Sequence, residues 1–227
     1  MRIYAGDWIL LSTVPLEGPS ERGRGPRAGC RSSSQPLPPR PGGHGRPGLA
    51  KLVALRSTFA PLGLRHTSLP RGVGMPAPIV HGYDVAPPHH PVDVSHLFAA
   101  GWAWASGGIV STPRDDNAFI RAYVRGATTS SKVRRAQFMF RAGSSEPPGP
   151  GDNSAGLAIF RYQTRCGTMY GHTGNTAGYT QFAAASKNGK RSVVVSVNSQ
   201  LTPAIHPVRF RELRQIYTLA VCAALAR

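Results

Sequence analysis

The sequence predicts an α+β fold in which an antiparallel β-sheet is flanked by helices. Three observations lead to this fold class: a capped amphipathic helix over residues 112–126, three strand candidates between residues 157 and 198, and a second amphipathic helix near the end of the chain. In this order, the last helix is expected to cover the sheet. The 227 residues are enough for one domain with a sizeable core.

The region before the first clear helix changes character several times. Residues 1–17 are mostly apolar, and Asp7–Val14 favours one short helix or strand. Residues 18–48 are rich in Arg, Pro and Gly and have no aromatic residue. We expect them to be disordered, because so little apolar surface cannot offset the entropy of ordering. Globular patterning begins near residue 49, with a short helix predicted over Ala50–Phe59 and a long surface loop region over 61–100.

The first clear helix has signals at both ends. Thr112 is a good N-cap, Pro113 suits the first helical position, and Asp115 and Asp116 lie in the first turn, where the helix dipole favours acids. Gly126 suits the position after the last turn. The helix has one apolar face: Phe119, Ile120, Tyr123 and Val124.

The sheet is predicted from the runs that follow a polar, turn-rich insertion at residues 127–155. The Asn188-Gly189 pair has the chemistry of a hairpin turn. A last helix is predicted over Val208–Ala226. Three runs with β-branched or aromatic content are the strand candidates: Leu157–Gln163, Tyr179–Ser186 and Arg191–Asn198.

The net charge suggests an anionic partner, but the distribution of the basic residues along the chain argues against nucleic acid. The formal net charge is +17, which is typical of proteins that bind nucleic acid or anionic membranes. The 23 arginines are scattered, however, and no helix face carries a basic stripe interleaved with aromatic residues. No apolar run approaches the roughly 20 residues that span a bilayer, so no stable membrane anchor is predicted. The first residues do not resemble an export signal, and we therefore expect a cytoplasmic chain.

Cysteine and histidine usage predicts no metal site and no cofactor. Cys30, Cys166 and Cys222 are an odd number and far apart, which indicates neither a disulfide framework nor a zinc site. Cys222 lies in an apolar run and is expected to be a buried small hydrophobe. His89 and His90 are adjacent, so in extended backbone they point apart, and a loop is the preferred interpretation.

The most informative stretch is Tyr170–Tyr179, between two strand candidates. His172, Thr173 and Gly174 place a hydrogen-bonding ring, a hydroxyl and a glycine together in extended backbone. Gly174 would let a ligand approach the backbone closely. In a regular strand His172 and Thr173 point to opposite faces. Taken alone, three such common residues favour a structural turn.

The surrounding blocks change that interpretation. Residues 170–179 resemble the K-T-G or H-T-G motif, followed by Gly-Tyr, of the serine β-lactamase and D-alanyl-D-alanine carboxypeptidase superfamily of penicillin-binding serine hydrolases, in particular its AmpC-like members. Residues 102–115 resemble the family's A-x-G-G-x-x-S-T-x-x-D segment, and residues 59–67 resemble its F-x-P-L-G-L-x-x-T segment. The resemblance covers about residues 50–226, the C-terminal part of such a domain, and implies a β-lactamase/transpeptidase-like fold.

The resemblance implies roles in binding a small-molecule or peptide substrate: a β-lactam, a D-Ala peptide or an ester. His172 would help to hold the substrate carboxylate or tune the proton network. Thr173 would hydrogen-bond the substrate, and Gly174 would keep the strand edge open. The backbone N–H of Asn175 would be one of two oxyanion-hole donors.

The family's nucleophile motif is absent from this chain. No serine has a lysine three residues later, and Thr129 with Lys132 has that spacing only after the S-T segment, whereas the family's nucleophile precedes it. The Y-x-N motif is also absent. Tyr4-Ala5-Gly6 resembles a damaged copy of it, which makes Tyr4 a candidate general base and residues 1–17 a remnant of the family's helical lobe.

Three hypotheses stay open at this point. The chain is a truncated or frame-disrupted serine hydrolase without activity, a non-catalytic module that binds peptides or β-lactams, or a basic protein that binds anionic surfaces. We expect a monomer or an aggregation-prone chain, because an incomplete sheet leaves an open edge strand.

Overall fold

The structure is a computed structural model that describes residues 9–11, 55–70, 75, 77–86, 88, 90–97 and 108–226. The predicted disordered segment 18–48 and the candidate base Tyr4 lie outside these ranges. The described strands are β1 (Ile9–Leu11), β2 (Tyr83–Asp84), β3 (Val92–Asp93), β4 (Ile109–Ser111), β5 (Arg141–Ala142), β6 (Asp152–Ala155), β7 (Phe160–Thr164), β8 (Gly167–Thr176), β9 (Tyr179–Ala185) and β10 (Ser192–Val197). The described α-helices are α1 (Pro113–Val124), α2 (Ser131–Gln137) and α3 (Pro207–Leu225).

The main sheet has six strands in the order β10-β9-β8-β7-β6-β5, and every neighbouring pair is antiparallel. Two smaller two-stranded sheets pair β1 with β4 and β2 with β3. The predicted fold class, an antiparallel sheet flanked by helices, is confirmed.

Helix α1 forms as its sequence signals predict. The Thr112 side chain accepts a hydrogen bond from the Asp115 N–H at 3.3 Å, which caps the N-terminus. Gly126 follows the helix with a φ of 85°, a left-handed conformation that glycine adopts at little cost. Ile120 and Val124 are buried on the face that the apolar pattern identifies.

The two long helices cover opposite faces of the sheet, as the alternation of side chains along β9 shows. Phe182 and Ala184 pack in the cluster that contains α3, whereas Ala183 and Ala185 pack in the cluster that contains α1. The α3 cluster is the larger core. Its fully buried aromatic and apolar side chains include Tyr162, Met169, Phe182, Tyr217 and Val221.

The hairpin between β9 and β10 is confirmed. Ser186 N–H donates to the Arg191 carbonyl at 2.9 Å, and Gly189 adopts a φ of 67°. Asn188 accepts a hydrogen bond from the Lys190 N–H at 3.0 Å, which closes the turn.

The prediction that residues 127–155 form a polar, turn-rich insertion is wrong in part, because the segment contains α2, β5 and β6. Ser130 caps α2 by accepting from the Val133 N–H at 3.3 Å. The strands β5 and β6 extend the sheet through backbone pairing, which requires no apolar side chains and therefore leaves a weak signal in the sequence.

Near the start of the chain, one prediction needs correction and one open alternative is decided. Of the helix predicted at Ala50–Phe59, the described part is a single π-helical turn at Leu55–Phe59. Residues 9–11 form strand β1, which pairs with β4. The alternative of a strand within Asp7–Val14 is therefore the observed one, and the helix that would support Tyr4 as a motif remnant does not form at Ile9–Leu11.

The prediction that the cysteines form no disulfide is wrong. Cys166, in the turn between β7 and β8, is bonded to Cys222 in α3, and their Cα atoms are 5.1 Å apart. Cys222 is half-buried and bonded, not a free apolar residue. The pair is separated by 56 residues, and only the packing of α3 against the sheet brings the two side chains together.

Candidate functional site

The C-terminal half of strand β8 extends beyond Phe160, the first residue of the antiparallel strand β7. The pairing of β7 with β8 ends at Phe160 and Gly171, whereas the pairing of β8 with β9 continues to Thr176 and Tyr179. Among the described strands, residues 172–176 are therefore paired on one side only. This stretch, which we call the β8 edge, contains the H-T-G motif.

The register shows which backbone groups point out from the β8 edge. Two-residue turns join β8 to both neighbours, so the residues that flank each turn form hydrogen-bonded pairs: Thr164 with Gly167, and Thr176 with Tyr179. By alternation, odd-numbered residues of β8 direct their N–H and C=O groups towards the β7 side. The N–H of Asn175 thus points out from the unpaired side of the β8 edge.

His172 lies beside this edge with its ring half-buried. Its Nδ1 hydrogen-bonds the Thr173 carbonyl, and its ring contacts Phe160 in a T-shaped arrangement with centroids 5.0 Å apart. Burial lowers the pKa of His172 below its ordinary value of 6.5, although the hydrogen bond to Thr173 opposes this shift. Because a carbonyl only accepts, Nδ1 carries the proton and Nε2 is left as the acceptor nitrogen. A neutral ring is better suited to tuning a proton network than to pairing with a carboxylate.

Thr173 points to the opposite face of the strand and is 2% exposed. Its hydroxyl donates to the Pro147 carbonyl at 2.6 Å, which also accepts from Ser145 Oγ at 3.1 Å. Tyr162 in turn donates to Ser145 Oγ at 3.1 Å. The loop of residues 144–151 is thus bonded to the side of the H-T-G motif that faces α3, and a ligand that uses Thr173 must share this hydroxyl.

Gly174 and Asn175 complete the sequence-predicted set. Gly174 is buried and pairs with Gln181 of β9. The Asn175 side chain donates to the Leu201 carbonyl at 3.0 Å, while its Oδ1 is buried with no hydrogen-bond partner within the described structure. The four predicted residues of the motif therefore lie together at the β8 edge, and their roles in binding stay predictions.

Gly171 directly precedes the β8 edge, and the sequence argument did not single it out. A Cβ at this position would lie 1.9 Å from the Ala183 carbonyl oxygen of β9, so β8 and β9 approach here as only glycine allows. The close approach is set by the twist of the two strands, and one sequence offers no signal that separates Gly171 from Gly174.

The two upstream blocks that resemble the family meet in space. Thr67 Oγ1 is hydrogen-bonded to Ser111 Oγ at 2.8 Å and donates to Asp115 Oδ2 at 3.0 Å. The backbone N–H of His66 donates to the same carboxylate oxygen at 2.7 Å. The three side chains are buried, and they join the start of α1 to the segment that precedes it by almost fifty residues.

A Ser, His and Asp cluster that the sequence did not signal lies in the loop region that contains β2 and β3. Asp93 accepts from Ser95 Oγ at 2.5 Å and contacts His81 Nδ1 at 2.7 Å. Hydrogen bonds from the Ser95 hydroxyl and N–H, together with His81, lower the pKa of Asp93 to about 2. Ser95 donates to the carboxylate, and its Oγ accepts from the Gly82 N–H at 2.9 Å. This is not the order of a catalytic triad, in which the imidazole stands between serine and carboxylate.

Other candidates from the sequence receive no support from the structure as active groups. Thr129 donates to Gln137 at 3.4 Å, and Lys132 is exposed on α2. Within the described ranges, no cluster of three or more His, Cys, Asp or Glu side chains could hold a metal ion. No helix in the described part of the chain is long and apolar enough to cross a membrane.

Comparison with known proteins agrees with the architecture. The family model for beta-lactamase matches residues 53–218. A D-stereospecific amidohydrolase from Streptomyces sp. is similar over 66% of this chain and 44% of its own, with 25% identity and a TM-score of 0.58. A D-amino acid amidase from Ochrobactrum anthropi SV3 is similar over 74% of this chain and 51% of its own, with 21% identity and a TM-score of 0.58.

A penicillin-binding protein from Bacillus halodurans is similar over 72% of this chain and 48% of its own, with 16% identity and a TM-score of 0.53. The chain thus spans about half the length of each of these solved structures. The family model covers well over half of the chain, and the capped helix α1, the H-T-G strand and the closing helix α3 occur in the order that the resemblance implies. The chain belongs to the beta-lactamase family, within the serine β-lactamase and transpeptidase superfamily.

Proposed function

We propose that this chain binds an amide or β-lactam carbonyl at the β8 edge and does not form an acyl-enzyme by itself. The observation that carries the proposal is the unpaired side of the β8 edge, towards which the N–H of Asn175 points. A ligand carbonyl that accepts from this N–H would add to the sheet as an extra strand does.

The lack of S-x-x-K in the chain supports binding without turnover. Acyl transfer needs an activated hydroxyl next to the carbonyl. Ser95, the serine with the nearest resemblance to a triad, already has its hydroxyl bonded to Asp93. One backbone hydrogen bond contributes about 1 kcal/mol net, well below the roughly 4 kcal/mol of a millimolar complex, so we expect an affinity no tighter than millimolar.

The ligand class follows from the similar proteins. A D-stereospecific amidohydrolase and a D-amino acid amidase have this fold, and both names specify an amide bond next to a D-configured centre. We therefore propose D-amino acid amides and penicillins as ligands, and the D-phenylalanine amide and benzylpenicillin as probes.

The test combines two measurements on the full chain. After incubation with a fluorescent penicillin, a denaturing gel should show no labelled band, and a labelled band would contradict the absence of an acyl-enzyme. In an amide NMR titration with D-phenylalanine amide, the Asn175 resonance should shift, whereas the L-enantiomer should shift it less.

Two variants at one position isolate the backbone donor. Asn175→Pro removes the N–H that points away from β9, and Asn175→Ala keeps it while removing the side chain. Binding should be lost in the first variant and kept in the second. Equal binding by both folded variants would contradict the proposal. If Asn175→Pro does not fold, the shift of the Asn175 amide in the unmodified chain decides, and no shift at saturating probe would count against it.

A further inference from the structure

A cluster of basic side chains forms where the C-terminal end of α1, helix α2 and the β9–β10 hairpin meet. Arg121 Nε donates to the Gly189 carbonyl of the hairpin at 2.8 Å. The Arg134 side chain of α2 donates to the Val124 carbonyl at 3.2 Å and to the Lys187 carbonyl at 3.4 Å. These bonds hold three separate elements together. We call the following residues the basic patch: Arg121, Arg125, Arg134, Lys187, Lys190 and Arg191.

The charge of the basic patch is not neutralised within the described structure. Arg121 and Arg134 donate to backbone carbonyls and not to carboxylates, and the ion pair that the described residues form is His81 with Asp93, in another region. The acids of α1 lie at its other end, and Asp115 is bonded to Thr67. From Asp115 to Arg125 the helix rises about 15 Å, which exceeds the Debye length of about 8 Å at physiological salt.

The exposed apolar side chains indicate which anionic partner fits. Val133 lies on α2 between Lys132 and Arg134 and is 42% exposed. None of the large exposed apolar side chains in the described ranges is aromatic. The half-buried Phe138 ring lies under the guanidinium of Arg134, 5.1 Å from its centroid, so this face is already taken and is not open for a base to stack on. Basic residues on the same helix as an exposed aliphatic side chain are typical of surfaces that bind anionic bilayers peripherally.

We propose that the basic patch docks the protein on the surface of an anionic phospholipid bilayer. The guanidinium and ammonium groups face the lipid phosphates, and Val133 contacts the interface between headgroups and acyl chains. Attraction of this kind adds up over the six cations and weakens with salt. The patch lies at the turn that follows β9, whereas the free end of the β8 edge pairs with the start of β9, so this binding is separate from the ligand proposed for the β8 edge.

Co-sedimentation with vesicles tests the proposal. The full chain should bind vesicles of equal parts phosphatidylglycerol and phosphatidylcholine, should bind pure phosphatidylcholine at least tenfold more weakly, and should be released by 0.5 M salt (about 4 Å Debye length). The patch variant is Arg125→Gln with Lys187→Gln and Lys190→Gln. These three side chains are exposed, and the structure records no hydrogen bond from any of them. We expect the patch variant to bind anionic vesicles at least tenfold more weakly than the unmodified chain does.

The control variant removes the same number of charges elsewhere. Arg165→Gln with Arg209→Gln and Arg211→Gln changes exposed residues of the β7–β8 turn and of α3, which covers the opposite face, and should bind within twofold of the unmodified chain. Equal losses in both variants would show an effect of net charge alone and would overturn the proposal. Tighter binding to a DNA duplex than to the vesicles, with the same dependence on the patch, would also overturn it.

Discussion

The hydroxyl of Thr67 donates a hydrogen bond to the carboxylate of Asp115 at 3.0 Å, and both residues are buried. The two residues are 48 positions apart, and each belongs to one of the short blocks that resemble the family. Their contact explains why the two blocks occur together. Residues 59–67 provide the Thr67 hydroxyl, which hydrogen-bonds the carboxylate of Asp115 in the first turn of α1.

Replacing Thr67 with Val should destabilise the fold by roughly 1.5–3 kcal/mol, because a buried carboxylate loses a hydrogen bond. Urea denaturation measures the change in the free energy of unfolding. The control is Thr218→Val, whose hydroxyl donates only to the Arg214 carbonyl within α3 and should cost less than about 1 kcal/mol. Similar losses in the two variants would contradict the special role of the Thr67 bond.

Burial of Asp116 should make the stability depend on pH. Asp116 lies on the buried face of α1, its Oδ2 has no partner in the described structure, and burial raises its pKa from 3.8 to about 7. Between these values the folded chain keeps a proton that the unfolded chain has lost, so raising the pH destabilises the fold by up to about 1.4 kcal/mol per pH unit. The contribution is fully present below pH 4 and lost above pH 7.

The substitution Asp116→Leu should abolish the loss of stability with rising pH and stabilise the chain at pH 8, as measured by urea denaturation between pH 4.5 and 8. This pH range lies above the titration of Asp93, because the pKa of Asp93 is lowered to about 2. The opposite slope that His172 contributes below pH 6.5 should remain. Asp152→Asn, at an exposed position of β6, is the control and should keep the slope. Stability that still falls with rising pH in the leucine variant would assign this pH dependence to another group.

His172 should titrate below pH 6.5, since burial beside Phe160 disfavours its charged form. Because the unfolded chain takes up this proton first, stability should fall as the pH drops below 6.5. NMR of the imidazole nitrogens should show the proton on Nδ1 at neutral pH. In Phe160→Ala the His172 ring loses the aromatic contact that helps to bury it, and the pKa of His172 should rise towards its ordinary value. An unchanged pKa in that variant would show that Phe160 does not cause the shift.

The Cys166–Cys222 bond should stabilise the fold by about 4 kcal/mol, the value expected from loop-closure entropy for a separation of this length. Thermal unfolding with and without reductant measures this difference, and Cys166→Ser with Cys222→Ser should reproduce the reduced value. Peptide mapping without reduction should recover both cysteines in one fragment. Recovery of both thiols free after oxidising purification would contradict the prediction.

Gly171→Ala should destabilise the chain by several kcal/mol, because the new Cβ would meet the Ala183 carbonyl oxygen at 1.9 Å. Gly63→Ala is the matched comparison. Its Cβ would meet no atom within 4 Å, although its φ of 67° is strained for alanine, and it should cost only about 1 kcal/mol. Equal free energies of unfolding for the two variants would show that β8 and β9 separate easily.

The sequence by itself determined the elements whose signals are local. The capped start of α1 at Thr112, the Asn188-Gly189 turn and the strands on either side of it follow from capping, turn chemistry and alternation, which act between residues close in the chain. The position of the H-T-G motif on a strand is also local information. The motif blocks were sufficient to predict the fold class and the family.

The tertiary structure alone decided which distant residues meet. It brought Cys166 to Cys222 and Thr67 to Asp115, left one side of β8 unpaired after Gly171, and gathered arginines and lysines that are scattered in the sequence into one patch. It also placed β5 and β6, whose polar residues are held by backbone pairing. Such contacts depend on how strands and helices pack across tens of residues, and packing of that kind leaves no periodicity in a single sequence.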